Sequence, residues 1–328
     1  MYSLRFKSED YKKIVTYKSL KDVLKFLKEN KSYSRALERV AENGEDVDLL
    51  SIERLLNYSF FDVLELISKY DRLLGGFLKD YISSYIDVRL ILECFEKILK
   101  LRCGEDFFYD SSKREKVFKN SKLEGLVHVK GIEEFFDFLK SAGYKRLFKD
   151  LDLKKDVFFI QSFLQKTMYE DLHEKLLLGI SNIKNKSSKQ ELFSSFCCYL
   201  ELKDFVYKLR SKRIDAPNAS ILPSFKSLEQ KILKNLENLH LESEYFEFLK
   251  GSYLYSQIKN IKYFYLEQLP EKFLLLKCRK GIRFSLDPTV AVLSFINLLK
   301  IETQNIIKIL EGIRYGLPEN KISELLVI

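Results

Sequence analysis

Two series of carboxylates recur along the chain at nearly constant spacing, the first inside apolar segments of helical periodicity and the second where each acid opens or enters the next predicted helix. The first series, in which each acid stands two residues before a leucine, comprises Glu53, Glu170 and Glu267. The second series follows 34, 34 and 35 residues later and comprises Asp87, Asp204 and Glu302. Such carboxylates can bind cations in a central channel, or they can accept hydrogen bonds from Arg or Tyr and lock helices together. Because no acidic cluster forms locally, the structural role is favoured.

A third marker, FLK followed by a tyrosine, begins at Phe26, Phe138 and Phe248, which are 112 and 110 positions apart. The tyrosines that close the three copies are Tyr33, Tyr144 and Tyr253. Another match, FLKDY at residues 77–81, falls out of register and is a chance occurrence. Three ordered markers in three copies predict three related helical units, each longer than one layer of a solenoid.

The other residues that could do chemistry are scattered. The three histidines, His128, His173 and His240, lie far apart and have no motif around them. The sequence contains no HExxH, GxSxG or paired Cys/His spacing and no GxxxxGK[ST] phosphate loop. These observations predict no catalytic residue, no metal site and no cofactor. An enzyme that uses the recurring acids around a central hole is the weakest of three functional hypotheses.

The elements that position these markers are predicted to be helices. No proline occurs before Pro217, and only 12 glycines occur in 328 residues, so the tight turns of a strand-rich protein are largely missing. Residues 49–74 place apolar side chains at three- and four-residue spacing. Residues 287–316 repeat this pattern, with Asp287 as N-cap and Pro288 at the first helical position. The predicted fold class is all-α.

Two polar stretches that lack this periodicity, residues 103–125 and 215–224, are predicted joints between units. They divide the chain into three predicted helical lobes, at residues 1–120, 121–215 and 216–328.

The net charge of +9 favours an acidic partner or an anionic surface. One alternative function is therefore a helical scaffold that binds nucleic acid through basic faces, although the lysines are interspersed with acids. The charged N-terminal residues predict no secretory signal, and the longest nearly apolar run, residues 289–301, is short for a membrane span. Five cysteines without a CxxC pair are predicted to be reduced thiols, mostly within the core.

The C-terminal segment, IETQNIIKILEGIRYGLPENKISELL at residues 301–326, resembles the closing segment of the C subunit of the V-type/A-type rotary ATPases, the counterpart of the vacuolar d subunit. The resemblance rests on an acid, an asparagine three residues later, an Ile/Leu-rich helix and a Gly-x-x-x-Gly-Leu break, here Glu302, Asn305, Gly312, Gly316 and Leu317. That family is also built from three related helical units, whose signatures correspond to the tyrosine and carboxylate markers. One departure is that Leu90 and Tyr207 stand where the first two units would carry the asparagine.

The resemblance implies a non-catalytic rotor component. Its three lobes would form a funnel with pseudo-threefold symmetry, on the cytoplasmic side of the membrane and peripheral to it. One face would receive the central shaft, made of the D and F subunits, and the other would rest on the membrane ring that carries protons or sodium ions. The recurring acids, the tyrosines and Asn305 would then be scaffold residues, and no nucleic acid would be bound.

Overall fold

A computed structural model describes most of the chain: residues 6–30, 33–37, 77–102, 122–155, 157–181, 185–213 and 268–328, with Ile183 and isolated helical residues between 52 and 67. Every regular element in these ranges is a helix, and no strand occurs among them. The prediction of an all-α fold is confirmed. Of the predicted joints, residues 103–121 and 215–224 lie outside the described residues.

The α-helices of the described ranges are α1 (Ser8–Ile14), α2 (Leu20–Glu29), α3 (Ser34–Leu37), α4 (Phe77–Arg102), α5 (Ile132–Leu139), α6 (Val157–Ser181), α7 (Lys186–Arg213), α8 (Leu269–Phe284), α9 (Pro288–Arg314) and α10 (Glu319–Leu325). Short 3-10 or π turns cover Glu124–His128, Lys140–Tyr144 and Lys145–Phe148.

Helix ends follow from local side-chain chemistry. At the start of α9, the Asp287 carboxylate accepts a hydrogen bond from the Thr289 backbone N–H at 2.9 Å, and Pro288 occupies the first helical position, as predicted. At its far end, Gly316 has φ +65°, which glycine adopts without steric cost. The N–H groups of Gly316 and Leu317 donate to the carbonyls of Ile313 and Gly312, which closes the helix in a Schellman motif.

The first of two compact units contains α1 to α3, α7 through Val206, and α8 to α10. Helices α8 and α9 form a close-packed hairpin, and α2 packs on α9. A Cβ atom added at Gly281 would lie 2.5 Å from the Ser294 hydroxyl oxygen and 3.2 Å from a Val290 methyl group, so the two helices approach closely at that point. The core of the unit joins both ends of the described chain, since Ile14 and Leu27 are buried in one cluster with Ile306 and Ile309.

The second compact unit contains α4, α5 and α6 with the turns between them, and α7 from Tyr207 onward. Its core is aromatic: Phe135 packs on Phe95 and on Phe136 with ring centroids 5.2 Å apart in both cases. Phe148 lies at the same distance from Phe136, nearly perpendicular to it. Such edge-to-face packing fixes ring positions more narrowly than aliphatic contact does.

Each compact unit combines residues from more than one of the three predicted lobes. The first unit takes α1 to α3 from residues 1–120, part of α7 from residues 121–215, and α8 to α10 from residues 216–328. The lobe boundaries and the funnel with pseudo-threefold symmetry remain predictions.

Helix α9 is long and apolar enough by composition to cross a membrane, the one such helix in the described part of the chain. However, 67% of its apolar window is buried within the protein. We therefore assign α9 as the central core helix of the first unit. The nearly apolar run at residues 289–301 forms part of this 27-residue helix. Its polar residues, including Ser294 and Asn297, are buried and are hydrogen-bonded or close-packed.

Four cysteines, Cys94, Cys197, Cys198 and Cys278, are buried in the core, as predicted. Cys103 lies outside the described residues. In the stripe predicted over residues 49–74, Ile52, Leu56, Phe60 and Ile67 are buried, and the other apolar positions except Val63 lie outside the described residues.

Candidate functional site

The carboxylate of Glu302 lies in the middle of α9 and is buried, with 1% of the residue exposed. Its Oε1 atom accepts a hydrogen bond from the Tyr33 hydroxyl at 2.7 Å, and its Oε2 atom accepts one from the Phe6 backbone N–H at 3.0 Å. The Phe6 ring packs edge-on against the Tyr33 ring, with centroids 5.6 Å apart. One side chain of α9 thereby joins two N-terminal segments of the chain, at the start of α1 and after α2.

Asp87, on α4, has a similar partner in the second compact unit. The Tyr144 hydroxyl donates a hydrogen bond to its Oδ2 atom at 3.0 Å. Burial raises the pKa of Asp87 above its usual range, although the bond from Tyr144 and the charges of Lys175 and Lys122 oppose this effect. Burial and the Asp87 carboxylate together raise the pKa of the Tyr144 hydroxyl, which is therefore neutral and donates a proton to the bond.

Both observed pairs join an acid to the tyrosine of another third of the chain. Asp87 belongs to the first third and Tyr144 to the second, whereas Glu302 and Tyr33 belong to the last and the first and are 269 positions apart. Asp204 lies in α7, but its side chain is outside the described part of the structure. Tyr253 lies outside the described residues altogether.

The Glu-x-Leu series is less enclosed where it is described. Glu53 is helical and half-buried, and Glu170 lies half-buried on α6. Burial raises the pKa of Glu170; Lys166 lowers it, and Glu174 raises it further. Glu267 lies outside the described residues. Within the described ranges, no group of three His, Cys, Asp or Glu residues is close enough to hold a metal ion.

Asn305, one turn after Glu302 on α9, holds the C-terminal segment. Its side-chain amide donates to the Val327 carbonyl oxygen at 2.8 Å, and its Oδ1 atom accepts from the Val327 N–H at 3.0 Å. The residue is 1% exposed. Leu90, which follows Asp87 by the same three residues on α4, is completely buried among apolar side chains. Tyr207 lies on α7 with its side chain outside the described residues.

A second polar contact joins α4 to α6 through Arg89. Its guanidinium is hydrogen-bonded to the side chain of Tyr169. Burial lowers the pKa of Arg89, but Tyr85, Tyr169 and Glu93 together raise it by more, so the arginine stays charged inside the unit.

The sequence predicts that each acid of the second series opens or enters a helix, and the structure places each of the three within a helix. The acids of the second series do not open the helices that carry them, because Asp87, Asp204 and Glu302 all lie well inside α4, α7 and α9. Each of these helices begins many residues before its acid. In α9, Asp287 caps the N-terminus of the helix, whereas Glu302 accepts hydrogen bonds from other segments of the chain.

Sequence patterns missed the groups that bind these acids. The Phe6 N–H and the Val327 peptide are backbone groups, which leave no side-chain signature, and the pairing of Tyr33 with Glu302 spans most of the chain. The sequence markers themselves contain a usable signal. A buried tyrosine hydroxyl needs a hydrogen-bond acceptor, and the acids are the acceptors that recur along with the tyrosines.

Chemically, these sites are contacts between helices. In each pair a carboxylate accepts from a tyrosine hydroxyl, an arrangement that satisfies a buried polar group and fixes the distance between two segments. The described residues thus define a class of protein in which recurring polar side chains brace a helical scaffold.

A family comparison gives this class a specific assignment. The chain matches the model of the ATP synthase (C/AC39) subunit family over residues 1–325 and belongs to that family. Its members are accessory stalk subunits of the V/A-type ATPases, ion-transporting complexes associated with membranes. No curated protein shows a significant match to the chain.

Proposed function

We propose that this protein is the rotor adaptor that couples the central shaft of a V/A-type ATPase, made of the D and F subunits, to the membrane ring that carries ions. In this role it binds no nucleotide, and it sits on the cytoplasmic side of the membrane, peripheral to it. The observation that carries the proposal is the family match, which extends over residues 1–325.

The contacts around Glu302 and Asp87 support this role because an adaptor must transmit torque with little elastic loss. Glu302 ties α9 to the segment before α1 by a bond of 3.0 Å and to the segment after α2 by a bond of 2.7 Å. Asp87 ties α4 to the turn that ends at Tyr144. Buried and partly buried hydrogen bonds of this kind favour one arrangement of the helices over alternatives. We propose that they stiffen three lobes, at residues 1–120, 121–215 and 216–328, which form a funnel with pseudo-threefold symmetry.

The test is reconstitution of ion pumping. ATPase complexes stripped of this chain are placed in vesicles, and ATP hydrolysis and ATP-driven ion uptake are measured before and after the purified chain is returned. We expect hydrolysis without uptake in stripped complexes, restored uptake on addition, and recovery of the D and F subunits and of the ring with the tagged chain. If the returned chain neither restores uptake nor binds these partners, the proposal is wrong.

The net charge of +9 supports a second candidate, a scaffold that binds nucleic acid. Titration with RNA and DNA at several salt concentrations separates the two functions. A nucleic-acid scaffold requires binding that weakens steeply as salt rises, because neutralised phosphates release counterions. The rotor adaptor requires no such binding.

A further inference from the structure

A groove of about 520 Å³ opens on the first compact unit, beside the site of Glu302. Its walls are the residues that lead into α1, one face of α8 and the C-terminal residues. Its apolar lining includes Leu275 of α8 with Leu298 and Ile301 of α9, all three of which are almost fully buried. The volume is in the range of grooves that accept several side chains or a small ligand.

The rim of this groove is basic. Arg279 and Arg283 follow Leu275 at intervals of four residues, so all three lie on one face of α8, and Lys7 stands at the groove's edge. None of the groove's lining residues, all of them in the described part of the chain, is acidic. No carboxylate of the described residues forms an ion pair with either arginine. The rim charge is therefore available to an acidic ligand.

An apolar patch lies next to this rim at the turn between α8 and α9. Phe284 is 74% exposed and Leu286 is fully exposed, while Leu276 is partly exposed on the preceding turns of α8. Residues 272–286 contain five Lys and Arg residues and no acid. The next acid, Asp287, already accepts the N–H of Thr289 at the start of α9. Exposed aromatic and aliphatic side chains beside a charged rim mark interaction sites.

We propose that the groove and the α8–α9 turn together form a docking surface for an acidic segment of a partner protein of the ATPase, one that carries an apolar anchor residue. The acidic side chains would bind Arg279 and Arg283, and the anchor would enter the groove over Leu275. A partner protein suits the surface better than a lipid bilayer does, because the apolar floor is recessed and a protruding side chain can reach it. This inference rests on the proposed function, which supplies the partner proteins.

The test measures how tightly the purified chain rebinds ATPase complexes stripped of it, at low and moderate salt. The variant R279E/R283E should lose at least about tenfold in affinity, and its binding should depend less on salt than that of wild type. The variant F284S/L286S keeps every charge and should lose affinity with an unchanged salt dependence. A matched control, R146E/K149E, makes the same change in charge at exposed residues of the second unit and should bind like wild type.

The outcomes separate this inference from the proposed function. If wild type fails to rebind, the proposed function fails. If wild type and R279E/R283E rebind equally, the docking surface is wrong and the proposed function stands. Vesicles of anionic phosphatidylglycerol are a second probe. If wild type binds these vesicles and R279E/R283E does not, while both rebind the ATPase, the surface binds a membrane and the proposed protein partner is wrong.

Discussion

The two acid-bearing helices α4 and α9 place a carboxylate and a following residue at the same spacing in very different surroundings. On α9, Glu302 is almost completely buried and accepts from two donors, and Asn305 binds both the N–H and the carbonyl of Val327. On α4, Asp87 is only partly buried and accepts from Tyr144, and Leu90 packs in an apolar core.

The difference in burial and hydrogen bonding follows from the segments that pack against each helix. Helix α9 is packed against both ends of the described chain, so its polar side chains bind segments that would otherwise depend on apolar contact alone. Helix α4 is held in the second unit by a cluster of phenylalanine rings and by the contact between Arg89 and Tyr169. A recurring sequence marker therefore indicates the type of contact, while the surroundings determine its energy.

The largest expected effect is at Glu302. The substitution Glu302→Ala leaves the Tyr33 hydroxyl and the Phe6 N–H buried without their acceptor, at a cost of about 4 kcal/mol in the free energy of unfolding. Urea unfolding followed by circular dichroism measures it. Tyr33→Phe, which removes one donor and leaves the Phe6 bond, should cost about 1 kcal/mol. If Glu302→Ala costs no more than Asp87→Ala, the contrast between the two helices is wrong.

Asn305 and Leu90 provide an exchange that tests the same contrast. Asn305→Leu removes the partners of both Val327 backbone groups and should cost about 2 kcal/mol. The reverse change, Leu90→Asn, buries an amide among apolar side chains and should cost about as much or more.

Unfolding of both single variants measures these costs, and Asn305→Asp is the control for Asn305→Leu, since it keeps an acceptor for the Val327 N–H. Equal tolerance of leucine and asparagine at both positions would show that the two helices are equivalent.

How much of this was predictable depends on the range of the interaction. The helical class, the cap at Asp287 and Pro288 and the buried faces of the 49–74 stripe follow from local periodicity and end chemistry, which act within a few residues. The pairing of Tyr33 with Glu302 does not, because periodicity reports the face of a helix and not the segment that packs on it. The groove at Arg279 was missed for the same reason, since its walls come from distant parts of the chain.

A smaller effect is expected at the pair of Asp87 and Tyr144. The bond from Tyr144 lowers the pKa of Asp87, so Tyr144→Phe should raise that pKa further and cost about 1 kcal/mol. Carboxyl-carbon NMR titration reports the pKa directly, and urea unfolding reports the cost. An unchanged pKa of Asp87 in Tyr144→Phe would mean that the bond contributes nothing to the ionised state.

The raised pKa of Asp87 also fixes the sign of a pH dependence. The folded protein binds the proton of Asp87 more tightly than the unfolded chain does, so this contribution to stability is complete below about pH 4, the pKa of an unperturbed Asp. It is lost as the pH rises through the raised pKa of the folded state. The free energy of unfolding of wild type minus that of Asp87→Asn should therefore fall as the pH rises from about 4 toward neutrality. A difference that rises with pH would contradict the raised pKa.

The smallest effect is expected at Glu170, the half-buried member of the first series on α6. Burial raises its pKa, and Lys166, one turn away on α6, only partly compensates for this effect. Its ionised form is therefore slightly unfavourable in the folded state. Glu170→Gln should leave stability at pH 7 within about 0.5 kcal/mol of wild type, or raise it slightly, in thermal and urea unfolding. A loss above about 1 kcal/mol would place Glu170 with Glu302 as a carboxylate that helix packing requires, and the two acid series would then share one role.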